Sequence, residues 1–299
     1  MKFKLVLILT FVSANTFAQD YFEVFSFGQK HFPATEFPKF PSESVNNDFY
    51  LNATLPIQTE NGDAYLFGLF LEQFNTILTP YAESKNIFTI GLKFGSNINF
   101  NDKWSATFLG LPKLSSDLYD VFEEDFQMGF VVLTKLKKTD ALNYKFGVYY
   151  NDDLFGTKIV PLIGLYRKSE NGKITINASI PVSADLNYQL GKNIFAGTRF
   201  NATAKSYKIG KRPYLGRNTY LHKNNNEVKL YLQGRIGKNI IAEIHGGYTI
   251  GRDYELYALD DEMDVDFTLF KLGDDRQKLN RSFGDGFVQE FKLIYKVDL

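Results

Sequence analysis

The stretch between Phe88 and Phe100 constrains the fold more than any other. Phe88, Ile90, Leu92, Phe94, Ile98 and Phe100 alternate there with Thr89, Gly91, Lys93, Gly95, Asn97 and Asn99. Apolar residues at every second position place one side of an extended chain in an apolar medium and the other in a polar one. The same period returns at Phe49, Leu51, Ala53, Leu55 and Ile57, and at Leu142, Tyr144, Phe146, Val148 and Tyr150. It appears again at Val228, Leu230 and Leu232, and at Phe291, Leu293, Tyr295 and Val297. Helical periodicity is not sustained anywhere after the first twenty residues. Several runs reach the ~9–11 residues that a tilted strand needs to cross a bilayer, whereas strands of soluble sandwiches average about five or six.

Tight and long connections take turns along the chain. "TENGD" at 59–63, "NDK" at 101–103, "KKTDA" at 137–141, "SENG" at 169–172 and "GKN" at 191 and 237 are hairpin-turn sequences. Longer connections are expected over 29–48, 74–86, 112–124, 151–156, 210–226 and 252–286. This asymmetry is that of an all-β, antiparallel, up-and-down transmembrane β-barrel, with tight turns on the periplasmic side and loops outside. The count comes to fourteen strands if Pro181 marks a turn. It drops to twelve if residues 174–190, whose apolar parity runs unbroken through Pro181, form one bent strand. A soluble sandwich or propeller is the competing architecture.

The first residues, "MKFKLVLILTFVSANTFAQD", carry Lys2 and Lys4, then an apolar run from Leu5 to Val12, then Ala18 before Gln19. This is the pattern of an export signal cleaved after Ala18, leaving a barrel domain over 19–299 with both termini periplasmic. The apolar run is too short for a membrane-spanning helix. Cysteine is absent, which excludes disulfides and cysteine-ligated metals, and 29 phenylalanines and 18 tyrosines stand beside a single tryptophan. Those aromatics suit strands and a membrane–water interface. Basic and acidic side chains number 34 each, so no electrostatic reason exists to expect nucleic acid as a partner. The expected partners are outer-membrane lipid and a small polar solute, and the sequence calls for no cofactor.

Residues 160–193, "VPLIGLYRKSENGKITINASIPVSADLNYQLGKN", resemble the central motif of an uncharacterised, domain-of-unknown-function family of Gram-negative β-barrel proteins, through Pro161, Tyr166, Pro181 and Tyr188. "GYTIGRDYELY" at 247–257 is similar to that family's penultimate strand and outer loop. The resemblance covers the last half of the chain and implies a barrel in the outer membrane. It implies no catalytic residues.

If the phenylalanine face of each strand meets lipid, the opposite face assigns Lys93, Lys145, Asp185, Arg199, Lys229, Arg235, Glu243, His245, Glu290 and Lys292 to the lumen. Charges of both signs there either pair and fill the barrel or line a water path, and long side chains of mixed sign favour the filled lumen. His31 and His222 fall in expected outer loops without ligand spacing. His245, beside Glu243, is the one histidine with barrel context, and a lipid hydrolase using it as base is a second reading. It lacks a "GxSxG" elbow and an identifiable serine. A secreted β-protein binding glycans through its aromatics is a third. The acidic run "DDEMDVD" at 260–266 falls in the last outer loop, where Met263, Val265, Phe267 and Leu269 alternate as in a hairpin standing above the membrane. Asp264 and Asp266 would share one face there, too far apart to chelate one ion tightly and without the calcium-loop spacing. Weak Ca²⁺ binding is the most they offer.

Intact-mass measurement of exported protein should give a mature chain beginning at Gln19. A mass that retains Lys2 and Lys4 would refute cleavage.

Overall fold

The computed structural model describes residues 21–119, 123–210, 218–268, 270–281 and 283–298. The export signal expected from the sequence lies outside the described residues. Fourteen long strands form one closed antiparallel ring: β1 (Tyr21–Glu36), β2 (Glu43–Gln58), β3 (Ala64–Thr76), β4 (Lys85–Asn99), β5 (Trp104–Ser116), β6 (Phe126–Thr139), β7 (Leu142–Asp153), β8 (Gly156–Lys168), β9 (Ile174–Ile180), β10 (Ser183–Gln189), β11 (Ile194–Ile209), β12 (Thr219–Ile236), β13 (Ile240–Ala258) and β16 (Phe287–Asp298). Each strand pairs with its neighbours in sequence order, β16 pairs with β13 and β1, and the ring has no free end. Two further strands of two residues, β14 (Val265–Asp266) and β15 (Lys271–Leu272), lie in the last loop, and a one-turn 3-10 helix (Glu123–Asp125) precedes β6.

Closure follows from the alternation. On β4, Ile90, Leu92 and Phe94 are exposed while Thr89 and Gly91, on the other parity, are buried, and β2, β3, β7, β12, β13 and β16 carry comparable exposed apolar rows. Leu230 and Ile163 are 70% and 65% exposed, values that make sense for side chains in contact with lipid. Tyr144 and Tyr150 stand at the two ends of the β7 row, and Trp104, Phe100 and Tyr65 lie near the turn-bearing end. Among the described residues no helix is long and apolar enough to cross a membrane.

Pro181 and Val182 do separate two strands, which gives fourteen rather than twelve. These two strands are seven residues each, the shortest in the ring. At the loop-bearing end the strands run further than the sequence suggests. β1 takes up residues 29–36, β7 and β8 leave only 154–155 between them, and β12 and β13 reach 18 and 19 residues. The reason is packing above the bilayer: the strand extensions carry apolar residues on the side that turns inward. Phe37, Phe74, Ile87, Tyr207, Leu221 and Tyr254 meet in one buried cluster, and Phe155, Tyr220, Tyr257 and Met263 in a second. The water-shielded core therefore sits at one end of the barrel and not in its middle.

On this fold, Leu230→Arg should destabilise the membrane-inserted protein by about 2–4 kcal/mol, as a cation near the bilayer midplane does. Urea unfolding in phospholipid vesicles reads the loss directly. A soluble β-protein would tolerate the change at so exposed a position.

Candidate functional site

The inward-facing side chains below the buried clusters surround a cavity of about 800 Å³. It extends from Tyr21 and Arg235 near the turn-bearing end to Lys205, Tyr207 and Phe74 under the clusters. One wall, built by β10 to β13, β16, β1 and β2, is a charged lattice. Arg199 on β11 donates to Asp185 on β10 (2.6 Å) and in a forked pair to Glu243 on β13 (2.8 and 3.3 Å). His245 Nε2 bonds the same Glu243 at 3.0 Å. A second group joins Lys229 to Glu227 and Glu290, each at 2.5 Å, and Lys30 to Glu227 at 2.9 Å. The Tyr50 hydroxyl also donates to Glu290. Tyr50 reaches it across Gly28, where a Cβ would lie 2.1 Å from the phenol ring, so only glycine fits at that position. Forked arginine pairs and lysines held between two carboxylates keep the charged groups mutually satisfied away from bulk water.

Of the residues assigned to the lumen from sequence, Lys93, Asp185, Arg199, Lys229, Arg235, Glu290 and Lys292 line the cavity. Glu243 and His245 are buried behind Arg199, and Lys145 donates to the cavity-lining Asn177 at 2.5 Å. Lys292 pairs with Glu23 near the turn-bearing end, and the Arg235 guanidinium lies 4.3 Å from the Phe195 ring centroid. Lys93 bonds only Asn52 and Thr54, and neither it nor Lys145 has a carboxylate within ion-pair distance among the described residues. His245 Nδ1 has no hydrogen-bond partner, and no hydroxyl is bonded to its ring. The geometry of a serine nucleophile and its base is not assembled there.

The opposite wall differs from what the alternation implied. Leu109 on β5 pairs with Val131 on β6, Val131 with Tyr149 on β7, and Tyr149 with Val160 on β8, so these four form one cross-strand row on the inner face. Leu133 and Leu162 extend it through Gly147. The signal for this row was present in the sequence. "GFVVL" at 129–133 and "IVPLIGLY" at 159–166 are apolar on both parities, the pattern of a strand with two apolar faces.

The mouth is spanned. At its top β11 leaves the wall and bridges to β5, Lys208 pairing with Ser116 in parallel. The Asp117 amide donates to the Lys208 carbonyl, Gln127 to the Ser206 carbonyl, and the Leu154 amide to the Ser206 hydroxyl (2.9–3.2 Å). Tyr207 then packs edge-on against Phe74 of β3, on the far side of the ring. The last loop lies over this arrangement. Asn280 donates to the Leu78 and Tyr254 carbonyls, and the Met263 amide to Phe155. Gly156, at φ +108°, leaves the room that Met263 occupies.

Three sequence expectations are corrected here. His31 and His222 are not solvated loop residues: His31 sits in β1 bonded to Asn47, and His222 sits in β12 stacked on Phe155 at 4.4 Å. Both strands simply continue above the apolar band. The acidic loop does form a small hairpin, Val265 opposite Leu272, but it does not stand clear of the barrel. β14 docks in parallel on β8, with Asp266 bonded to Lys158 at 2.5 Å and to the Thr268 amide at 2.6 Å. Asp266 is thereby occupied and Asp264 is exposed. No group of three or more metal-ligating side chains occurs among the described residues.

A family model for a domain of unknown function, DUF6268, matches residues 14–259. The chain belongs to the DUF6268 family. The DUF6268 match takes in the charged wall except for β1's partner strand β16, and it ends before the hairpin of β14 and β15. No curated protein matches. Among solved structures, the barrel is similar to the NanC porin (9% identity, TM-score 0.40, 91% of this chain and 100% of that one). It is also similar to an outer membrane channel from Pseudomonas putida F1 (5%, 0.45, 91% and 94%) and to the Pseudomonas putida toluene transporter TodX (10%, 0.38, 91% and 88%). At these values the likeness is one of broad shape, and the architecture rests on the chain's own ladders.

The last loop is fastened by an acid-sensitive clasp. Arg276 forks onto Asp274 (2.7 and 3.2 Å) and donates to Tyr220, whose hydroxyl donates to the Asp261 carbonyl. Its hydrogen bonds hold the Asp274 carboxyl at about 2, below the ordinary value of 3.8. A depressed carboxyl contributes its stabilisation above the unfolded-state value and loses it as pH falls toward the folded one. Pepsin cleavage within 270–281 should therefore rise between pH 4 and pH 2. Asp274→Asn should make cleavage high throughout that window and remove most of the pH dependence.

Proposed function

We propose that the protein is a non-enzymatic outer-membrane conduit for small solutes, held closed at its outer end. Its tight turns face the periplasm and its mature chain begins at Gln19. The observation that carries this reading is the combination of a closed, lipid-facing ring with an internal cavity ending under a packed roof. A purely structural barrel has no need of a cavity lined on one side by buried and half-buried charges. A passive open pore has no need of a roof that ties β11 to β5. The ten charged or imidazole side chains assigned from sequence act in two ways here. The arginine- and lysine-centred groups hold one wall rigid, while Lys93 and Lys145, lacking carboxylate partners, leave a positive potential in the cavity that favours anionic or strongly dipolar solutes.

The roof is the gate in this reading, because beside its apolar clusters it is tied across the mouth by a few polar contacts, the Leu154 amide to Ser206, Gln127 to the Ser206 carbonyl and Lys208 to Asp125 at 3.3 Å, whereas the barrel beneath it is a closed ring of ladders. Planar-bilayer recording tests it. The refolded protein should conduct little, and a variant carrying Ser206→Ala, Gln127→Ala and Lys208→Ala should conduct severalfold more while keeping heat-modifiable gel migration. If the intact barrel and the variant both stay silent, the axial conduit is rejected.

A further inference from the structure

The wall of the barrel is not of even height, and its low point falls within the apolar band. Ile180, at the tip of β9, pairs with Ile163 of β8, and Ser183, opening β10, pairs with Asn201 of β11. Above those pairs no strand lies between residues 162–159 of β8 and residues 202–207 of β11; higher up, β14 pairs with β8 and β5 with β11. On neighbouring β7 the lipid-facing row runs on to Tyr150, which pairs with Ile159. The notch therefore cuts about 13 Å along β8 below the top of that row, taking 3.3 Å per residue, and it is three strand spacings, about 14 Å, across. Its upper side is closed by the Leu154–Ser206 hydrogen bond and by β14, which pairs with Thr157 and Lys158. What remains is a window, with β8 and β11 as jambs and the Pro181–Val182 turn as sill.

A strand edge open to hydrocarbon is strongly unfavourable, because each unpaired backbone group costs several kcal/mol there. Such an edge is tolerated where it borders a water-filled space, and the cavity supplies one: Val182, Ser183, Ala202 and Thr203 all line it. Outside the window lie apolar side chains of modest bulk, Ile159 and Pro161 on one jamb and Ala202 and Ala204 on the other. Inside, Val160 stands on the free edge itself and ends the row Val160, Tyr149, Val131, Leu109. The row extends about 14 Å across β8 to β5. Lys145 lies on β7 below Tyr149, and Lys93 lies on β4 two residues from Gly95, the partner of Leu109.

From this geometry we infer that the window admits a single-chain anionic amphiphile from the outer leaflet. Its chain lies along the inner apolar row and its head group faces Lys93 and Lys145. An apolar row that starts at the free edge of β8, where Val160 is buried, and reaches the cavity at Leu109, with Lys93 on the cavity and Lys145 bonded to its lining Asn177, suits a carboxylate- or phosphate-headed chain. A wholly polar solute would gain nothing from the row, and an alkane nothing from the lysines.

The inference stands on the register of the wall and is independent of whether the roof opens. A bilayer recording that stays silent would remove the axial route and leave the labelling below unaffected. The probe is a fatty acid with a diazirine near the chain terminus, applied to the full mature protein in phosphatidylcholine nanodiscs. Adducts are mapped by mass spectrometry. Labelling should concentrate on residues 159–163 and 201–205, and should compete with unlabelled fatty acid. Ala202→Trp with Ala204→Trp, which fills the window, should cut that labelling at least tenfold, while Ala53→Trp on the lipid face of β2 should leave it unchanged. Lys93→Gln with Lys145→Gln should lower it at least fivefold without changing labelling by a diazirine phosphatidylcholine. Adducts spread evenly over the lipid face, or equal losses from Ala53→Trp, would overturn the window. Undiminished labelling in the lysine variant would overturn the anionic head group. Heat-modifiable migration of every variant confirms that each is folded.

Discussion

The rest of the structure depends on one requirement: in hydrocarbon a backbone amide or carbonyl has no water to fall back on. A single sheet with ends cannot meet that requirement, and a ring can. The pairing of β1 with β16 is therefore the decisive contact in this chain, although it adds only one ladder among fourteen strands. Once it is made, the outer faces need only be apolar, and the inner faces are released from the usual demand that a protein bury hydrophobic residues inside. The charged wall around Arg199 and Glu227 is permissible for that reason. In a soluble sandwich the same positions would be the core.

The apolar side chains that a soluble protein would place at its centre are used here at the loop-bearing end. Tyr207, Leu221 and Tyr254 come from the extended tops of β11, β12 and β13, and meet Phe74 and Ile87 from the other side of the ring. That crossing is what turns a tube into a vessel. It has its own geometry, since the β9–β10 hairpin stops low and the top of β11, still paired with β12 on one side, has no strand of that hairpin to hold it on the other. The roof and the notch are thus two consequences of one short hairpin.

Much of this was legible in the sequence. Period two fixed the strands, turn chemistry fixed the direction of the hairpins, and Pro181 was rightly a turn despite the unbroken parity around it. The charged residues facing the cavity were legible as well, because a charge on the lipid face is disfavoured. Two things escaped. The length of β12 and β13 was hidden because residues 252–258, "RDYELYA", lack a clean alternation where both faces of the strand are buried in the roof. The inner apolar row was hidden in "GFVVL" and "IVPLI", where apolar residues on both parities read as emphasis rather than as a second face. Which side chains of Lys93 and Lys145 would lack carboxylates was never accessible from spacing, since ion pairs across a barrel join strands far apart in sequence, as Lys30 and Glu227 do.

The roof also has a history built into it. Its parts come from residues as distant as Phe37 and Phe283, and they pack with one another beyond the apolar band, where water replaces lipid. Such a core has no apolar surroundings to assemble in until the ring beneath it exists, and its sequence separation makes it slow to find. The chain therefore solves two folding problems in two solvents and in a fixed order, lipid first and water second. For the interval between them, the barrel stands in the membrane as an unroofed tube.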